Sequence, residues 1–238
     1  QLVNEIYTEA LGYYLKKNQF DIVLAEFGVV GAKIYKACER ADIPYVVHFH
    51  GYDATATPTL QKYAREYQDI FQNASALVVV SEAMRDKLLS CGAPENRVIL
   101  NPYGVDISRE DQACPEKSQP IFLAVGRFVE KKAPHLTIQA FEKTAKTFPK
   151  SRLILVGDGP LLNTCQELAQ RLQIQDQICF AGVQSRRSVA KMMRLSRAFV
   201  QHSVTANNGD TEGLPLAILE AGAAGLPVIS TRHAGIPD

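Results

Sequence analysis

The 238 residues carry 26 Lys and Arg against 25 Asp and Glu, a net charge of +1, with 46% apolar, 21% charged and 8% aromatic residues. That balance describes a globular chain long enough for one large domain or two modest ones, and it excludes disorder and fibrous repeats. Nothing in it suggests a nucleic-acid or membrane-surface footprint as the main business, and no apolar run approaches the roughly 20 residues of a bilayer span.

In chain order, the first element is a helix: Leu2, Val3, Ile6, Tyr7, Ala10, Leu11, Tyr14 and Leu15 recur at helical spacing. The chain starts inside it at Gln1, without a Met, so a piece cut from something longer is expected. Short β-rich runs follow at Ile22–Phe27, Tyr45–His50, Ala76–Val80 and Val98–Leu100, with helices expected at Gly31–Asp42, Leu60–Asn73 and Glu82–Cys91 between them. Ser108–Pro120 is polar, contains proline and lacks periodicity, as linkers do. The rhythm then restarts, with strands at Ile121–Val125, Leu153–Val156, Ile178–Phe180, Ala198–His202 and Val228–Ser230. Two α/β units with mostly parallel sheets are the expectation, over residues 1–116 and 117–238.

Five cysteines, odd in number and never spaced C-x-x-C, suit reduced thiols in a cytoplasm. The sequon at Asn73-Ala74-Ser75 is read as chance in such a compartment. The five histidines form no metal-ligand pattern along the chain, so neither a metal nor a cofactor is expected.

The residues with chemical capability fall just after the expected strands, at His50-Gly51, Ser81-Glu82, Gly104, Gly126-Arg127, Gly157-Asp158-Gly159 and His202-Ser203. Open parallel sheets bind ligands outside those carboxyl ends. In Gly126-Arg127-Phe128-Val129-Glu130-Lys131-Lys132, a sharp backbone turn is followed by cations within one loop, which suits a phosphate or diphosphate as well as it suits a solvated charged loop. Gly157-Asp158-Gly159-Pro160 permits close backbone approach but is neither a Walker loop nor a full G-x-G-x-x-G. In Glu212-Gly213-Leu214-Pro215 and on to Glu220, Pro215 is expected in the first turn of a helix, leaving N–H groups near Gly213 and Leu214 aimed at an anion. Glu212 and Glu220 would then accept hydroxyl hydrogen bonds, one from a sugar and one from a ribose; the plainer alternative is a helix-dipole partner and a surface acid.

The run from Glu212 to Glu220 resembles the E-x7-E motif of the retaining family-4 glycosyltransferases, which have the two-lobed GT-B fold. HFHG (His48–Gly51), GVD (Gly104–Asp106), GRFVEKK (Gly126–Lys132), GDGP (Gly157–Pro160) and GLPVIST-x-x-x-GIPD (Gly225–Asp238) match that family in order over nearly the whole chain. Within it the chain is similar to transferases of exopolysaccharide or colanic-acid-type assembly. The resemblance implies two Rossmann-like lobes facing a cleft, incomplete at both termini, because the amino-terminal Gly-rich loop and the last strands of the family are absent. It implies a nucleotide-diphosphate-sugar donor, a saccharide or lipid-linked saccharide acceptor, and retention of anomeric configuration. A cytoplasmic location follows, with peripheral association at the membrane's inner face through segments outside this chain.

By matching position, the resemblance makes Gly126, Arg127 and Lys132 donor-binding residues, with backbone groups of Gly213 and Leu214 assisting and Glu220 on the ribose. His50 and Glu212 are the catalytic pair at the transferred sugar, and His48, two residues earlier on the same strand face, is the decoy. Two positions depart from the family: Tyr103 stands where Asn is frequent and Ala133 where Gly is frequent. Alternatives remain in a nucleotide-sugar epimerase of the same architecture and a catalytically silent nucleotide-sugar-binding module. A glycoside hydrolase fits poorly, since the Glu212–Glu220 offset is about 12 Å along a helix against the roughly 5–9.5 Å such acid pairs need. A dehydrogenase lacks its dinucleotide fingerprint.

Overall fold

The computed structural model describes residues 2–106 and 112–238. Its elements are α1 (Leu2–Lys17), β1 (Val23–Glu26), α2 (Gly28–Ala41), β2 (Tyr45–His48), α3 (Tyr52–Thr55), α4 (Thr57–Lys62), α5 (Ala64–Asn73), β3 (Ala76–Val79), α6 (Glu82–Ser90) and β4 (Val98–Leu100). They continue with β5 (Ile121–Val125), α7 (Pro134–Thr147), β6 (Arg152–Val156), α8 (Leu162–Arg171), β7 (Ile178–Gly182), α9 (Arg186–Leu195), β8 (Ala198–Gln201), α10 (Leu216–Ala223) and β9 (Val228–Ser230). All nine expected strands are present, and every described pairing is parallel.

The described residues divide into two compact units. The first holds residues up to Tyr103 together with Asn208–Leu214 and Pro237–Asp238; the second holds Gly104–Asn207 and Pro215–Ile236. The division at Tyr103/Gly104 precedes the expected 116/117 boundary. Of the expected linker, residues 108–111 lie outside the described range, and the remainder includes a short turn at Pro115–Lys117.

In the first unit the strands lie in the order β1-β2-β3-β4. Val47, Phe49, Ile70, Phe71, Leu77 and Val79 are fully buried in its core. Helix boundaries follow local chemistry. Asp42 closes α2 in a left-handed conformation, its N–H returning to the carbonyls of Cys38 and Glu39, and the Ser81 hydroxyl caps α6 by accepting from Met84 N–H. The helix expected over Leu60–Asn73 is instead two, starting earlier at Thr57 beside Pro58 and breaking at Tyr63. On α1, Ile6, Tyr7 and Tyr14 are exposed although their spacing predicts an inner face, while Leu15 is buried.

In the second unit the order is β7-β6-β5-β8-β9. The chain builds outward from β5 through β6 to β7, then crosses back to place β8 on the other side of β5. Leu123, Leu153, Leu155 and Phe199 bury the sheet. That reversal creates a topological switch point between β5 and β8, where a doubly wound sheet opens a crevice outside its strand ends.

Candidate functional site

At the switch point of the second unit, Gly126 and Arg127 follow β5 and His202 follows β8. A pocket opens there, lined by Gly126, Arg127, Phe128, Lys132, Gln201 and His202 among others. The two expected cations therefore share one pocket at the place the topology selects. The Lys132 stem runs past Gly126: Lys132 Cδ and Cε lie 3.6 Å from where a Cβ would stand, an ordinary van der Waals distance. Ala133, next in the chain, sits in the left-handed region at φ 38° and ψ 52°, the conformation that favours the frequent glycine.

The Gly157-Asp158-Gly159 turn has a different task from the one its sequence suggests. Gly157 has φ 134°, and a Cβ there would lie 2.0 Å from the Gly126 carbonyl oxygen. Phe128 N–H donates to Asp158 O (2.8 Å) and Gly126 N–H to Val156 O (2.9 Å). The close approach is made to the Gly126–Phe128 loop, so this turn supports the cationic loop from beneath.

Glu220, on α10, lines a second feature of the same unit, a groove of about 770 Å³ shared with Asp106, Gln184, Arg186, Arg187 and Arg194. Arg186 Nη2 lies 3.8 Å from Glu220 Oε1. Arg186 and Arg187 were missed in the sequence, although the same rule of strand ends applies to them just after β7. Pro215 is the residue before α10 and not part of its first turn. Gly213 and Leu214 are absent from the lining of both hollows and pack in the first unit.

In the first unit, Asn208–Leu214 docks on the segment after β2 as a strap. Thr57 N–H donates to Asn208 O (2.8 Å), Thr211 N–H to Thr55 Oγ1 (3.1 Å), and a Cβ on Gly213 would lie 2.3 Å from His50 O. Glu212, next in the chain to Gly213, is buried in the same unit. The segment itself is tied down by Asp53, fully buried, whose carboxylate accepts from the N–H groups of Gly28 (2.8 Å), His50 (3.0 Å) and Gly51 (2.9 Å). Three donors on one carboxylate fix the β2 exit to the start of α2.

Around the His50 ring the structure adds a partner that the sequence reading lacks. His48 Nδ1 lies 3.2 Å from Glu26 Oε2, the same oxygen that is 2.5 Å from His50 Nε2. The expectation of no metal-ligand pattern also changes, since donor atoms of Glu26, His48 and His50 lie within 4.8 Å of one another. Glu26 is far away in sequence, and only the β1–β2 register, with Glu26 opposite His48, brings it in. Hydrogen bonds from the imidazoles to the carboxylate account for the cluster. The His50 Nδ1 meets the Tyr103 hydroxyl, and the Phe27 ring packs at 4.5 Å. Burial pushes the Tyr103 phenol up to about 12 and, with the neighbouring His50, lowers the His48 pKa. In the second unit His202 is lowered by burial first, then by His135 and His233.

A family model described as glycosyl transferases group 1 matches residues 106–238, and one described as glycosyltransferase family 4 matches residues 6–109. The chain belongs to the glycosyl transferases group 1 family. Among its relatives, the putative colanic acid biosynthesis glycosyltransferase WcaL of Salmonella typhimurium is 31% identical over 92% of this chain and 55% of its own length. The amylovoran biosynthesis glycosyltransferase AmsK of Erwinia amylovora is 28% identical over 92% of this chain and 54% of its own. The chain thus spans about half the length of these curated relatives. Among solved structures, Anabaena Alr3699/HepE in complex with UDP aligns with a TM-score of 0.79 at 20% identity, over 96% of this chain and 64% of that one. The GT-B class expected for this group 1 member stands, in its two parallel α/β units. Among the described residues, no helix is long and apolar enough to cross a membrane.

Proposed function

We propose that the complete protein is a retaining glycosyltransferase. It moves a sugar from a nucleoside-diphosphate sugar to a hydroxyl of a saccharide or lipid-linked saccharide, in polysaccharide or glycolipid assembly on the cytoplasmic side. The observation that carries the reading is the convergence of Arg127 and Lys132 in one pocket at the β5/β8 switch point. Breaking a sugar–phosphate bond leaves negative charge on the departing diphosphate, and preorganised cations stabilise that charge where it develops. Arg127 offers a planar fork to phosphate oxygens and Lys132 a point charge. Glu220 takes the ribose hydroxyls in the neighbouring groove. Glu212 and His50 take hydroxyls of the transferred sugar. HepE in complexes with UDP and UDP-glucose supports a donor of this class, as do the names of WcaL and AmsK for the pathway class. Retention rests on the family resemblance: the acceptor hydroxyl attacks from the face the diphosphate leaves, and a phosphate oxygen takes its proton.

The test is incubation of the full-length protein with UDP-, GDP- and ADP-sugars and an oligosaccharide acceptor, following nucleoside diphosphate release and the anomeric configuration of the product by proton NMR. Acceptor-dependent release with unchanged configuration is expected. An inverted product would remove the retention. A donor altered without acceptor would turn the reading to the epimerase, and binding without release to the silent module.

A further inference from the structure

We propose that Glu26 is the positioning residue of His50: its carboxylate fixes the imidazole as the Nε2–H tautomer and so presents the Nδ1 lone pair to a hydroxyl of the transferred sugar. The inference rests on the assignment of His50 to that sugar. β1 and β2 are parallel neighbours with Glu26 opposite His48, so the acid at the end of β1 stands beside both histidines at the end of β2. Glu26 Oε2 is 2.5 Å from His50 Nε2 and 3.2 Å from His48 Nδ1. A carboxylate only accepts, so each imidazole places its proton on the nitrogen facing it. For His48 this leaves the lone pair at Nε2, which is buried without a hydrogen-bond partner. A neutral ring tolerates that position better than a charged one would, and burial drives His48 toward the neutral form.

For His50 the same logic leaves the lone pair at Nδ1, and the group facing it is the Tyr103 hydroxyl. With its phenol pushed up to about 12, Tyr103 is protonated at neutral pH and donates. The Tyr103 ring lies nearly parallel to the imidazole, 11° between planes, and Phe27 packs on it at 4.5 Å, so the ring plane is held as well as its proton. The Nδ1 position is thus built to accept from a hydroxyl. A sugar hydroxyl is the same kind of donor and takes the place of Tyr103 when substrate is present. Without Glu26, both neutral tautomers become accessible and the fraction of rings able to accept at Nδ1 falls.

The experiment compares Glu26→Ala, Glu26→Gln, His50→Ala and the Glu26→Ala/His50→Ala double variant in the full-length protein. It reads kcat, donor dissociation constant, and the His50 tautomer by 15N NMR. Glu26→Ala is expected to lower kcat by roughly 10- to 100-fold, the scale of a misplaced catalytic contact, and to raise the donor dissociation constant far less. The 15N spectrum should pass from one Nε2–H tautomer to a mixture. Glu26→Gln should recover most of the rate, because its amide oxygen still accepts from Nε2–H, and the double variant should be no slower than His50→Ala. Full kcat in Glu26→Ala beside a slow His50→Ala would overturn the positioning role and leave the His50 assignment standing. Full kcat in His50→Ala would overturn both.

Discussion

The pocket at the β5/β8 switch point and the histidine cluster at the end of β1 and β2 both lie at carboxyl ends of parallel strands, yet they are built in opposite ways. In the second unit, one loop supplies the cations, and its support is glycine backbone packed on glycine backbone at Gly126 and Gly157. In the first unit, His50 is surrounded by Glu26, Tyr103, His48 and Phe27, and its backbone is tied by Asp53. A diffuse anion needs charge nearby and tolerates variation in geometry. A ring that must accept one hydroxyl needs its proton and its plane fixed. The contrast predicts that substitutions in the second unit act through charge and those in the first through geometry.

The largest effects are expected from the cations. Arg127→Ala or Lys132→Ala should lower turnover by roughly 10²- to 10³-fold with little change in stability, and steady-state kinetics checked against thermal unfolding would show it. Unchanged turnover in both variants would break the comparison at its root. Next comes Asp53→Ala, which leaves three backbone N–H groups without their carboxylate. A loss of about 2–5 kcal/mol in denaturant unfolding is expected, and a loss below that range would mean that water replaces the side chain. The smallest effect concerns pH. His48 is held below its ordinary 6.5 by burial and by His50, so the unfolded chain binds the proton more readily. Its contribution to stability is therefore present above pH 6.5 and lost as pH falls below it. His48→Gln should flatten the acid side of the unfolding-versus-pH curve; an unchanged slope would show that His48 is protonated equally in both states.

Much of the architecture was legible because β-branched apolar runs bounded by turns identify strands, and capable residues after those runs identify strand ends. Arg127 and Lys132 could be paired from the sequence because one short loop carries both. Glu26 could not, because it reads as an acid ending an apolar run until the β1–β2 register sets it opposite His48. Arg186 and Arg187 follow the same strand-end rule after β7, yet their relation to Glu220 depends on how α9 and α10 fold within the second unit. For the Glu212–Leu214 segment, Pro215 predicts the lead-in to a helix, with N–H groups near Gly213 and Leu214 aimed at an anion. Its conformation is decided instead by Gly213, whose lack of a side chain lets the strap lie against His50 O. On α1, helical periodicity predicted an inner face for Ile6, Tyr7 and Tyr14, and within the described residues that face remains exposed.

The most direct test of the account is calorimetric titration of UDP and GDP into the full-length protein and its Arg127→Ala and Lys132→Ala variants. Each lost charge-assisted hydrogen bond should weaken binding of the preferred nucleotide by about 1.5–3 kcal/mol, roughly tenfold or more. Equal affinity in the parent and both variants would contradict the claim that this pocket holds the diphosphate.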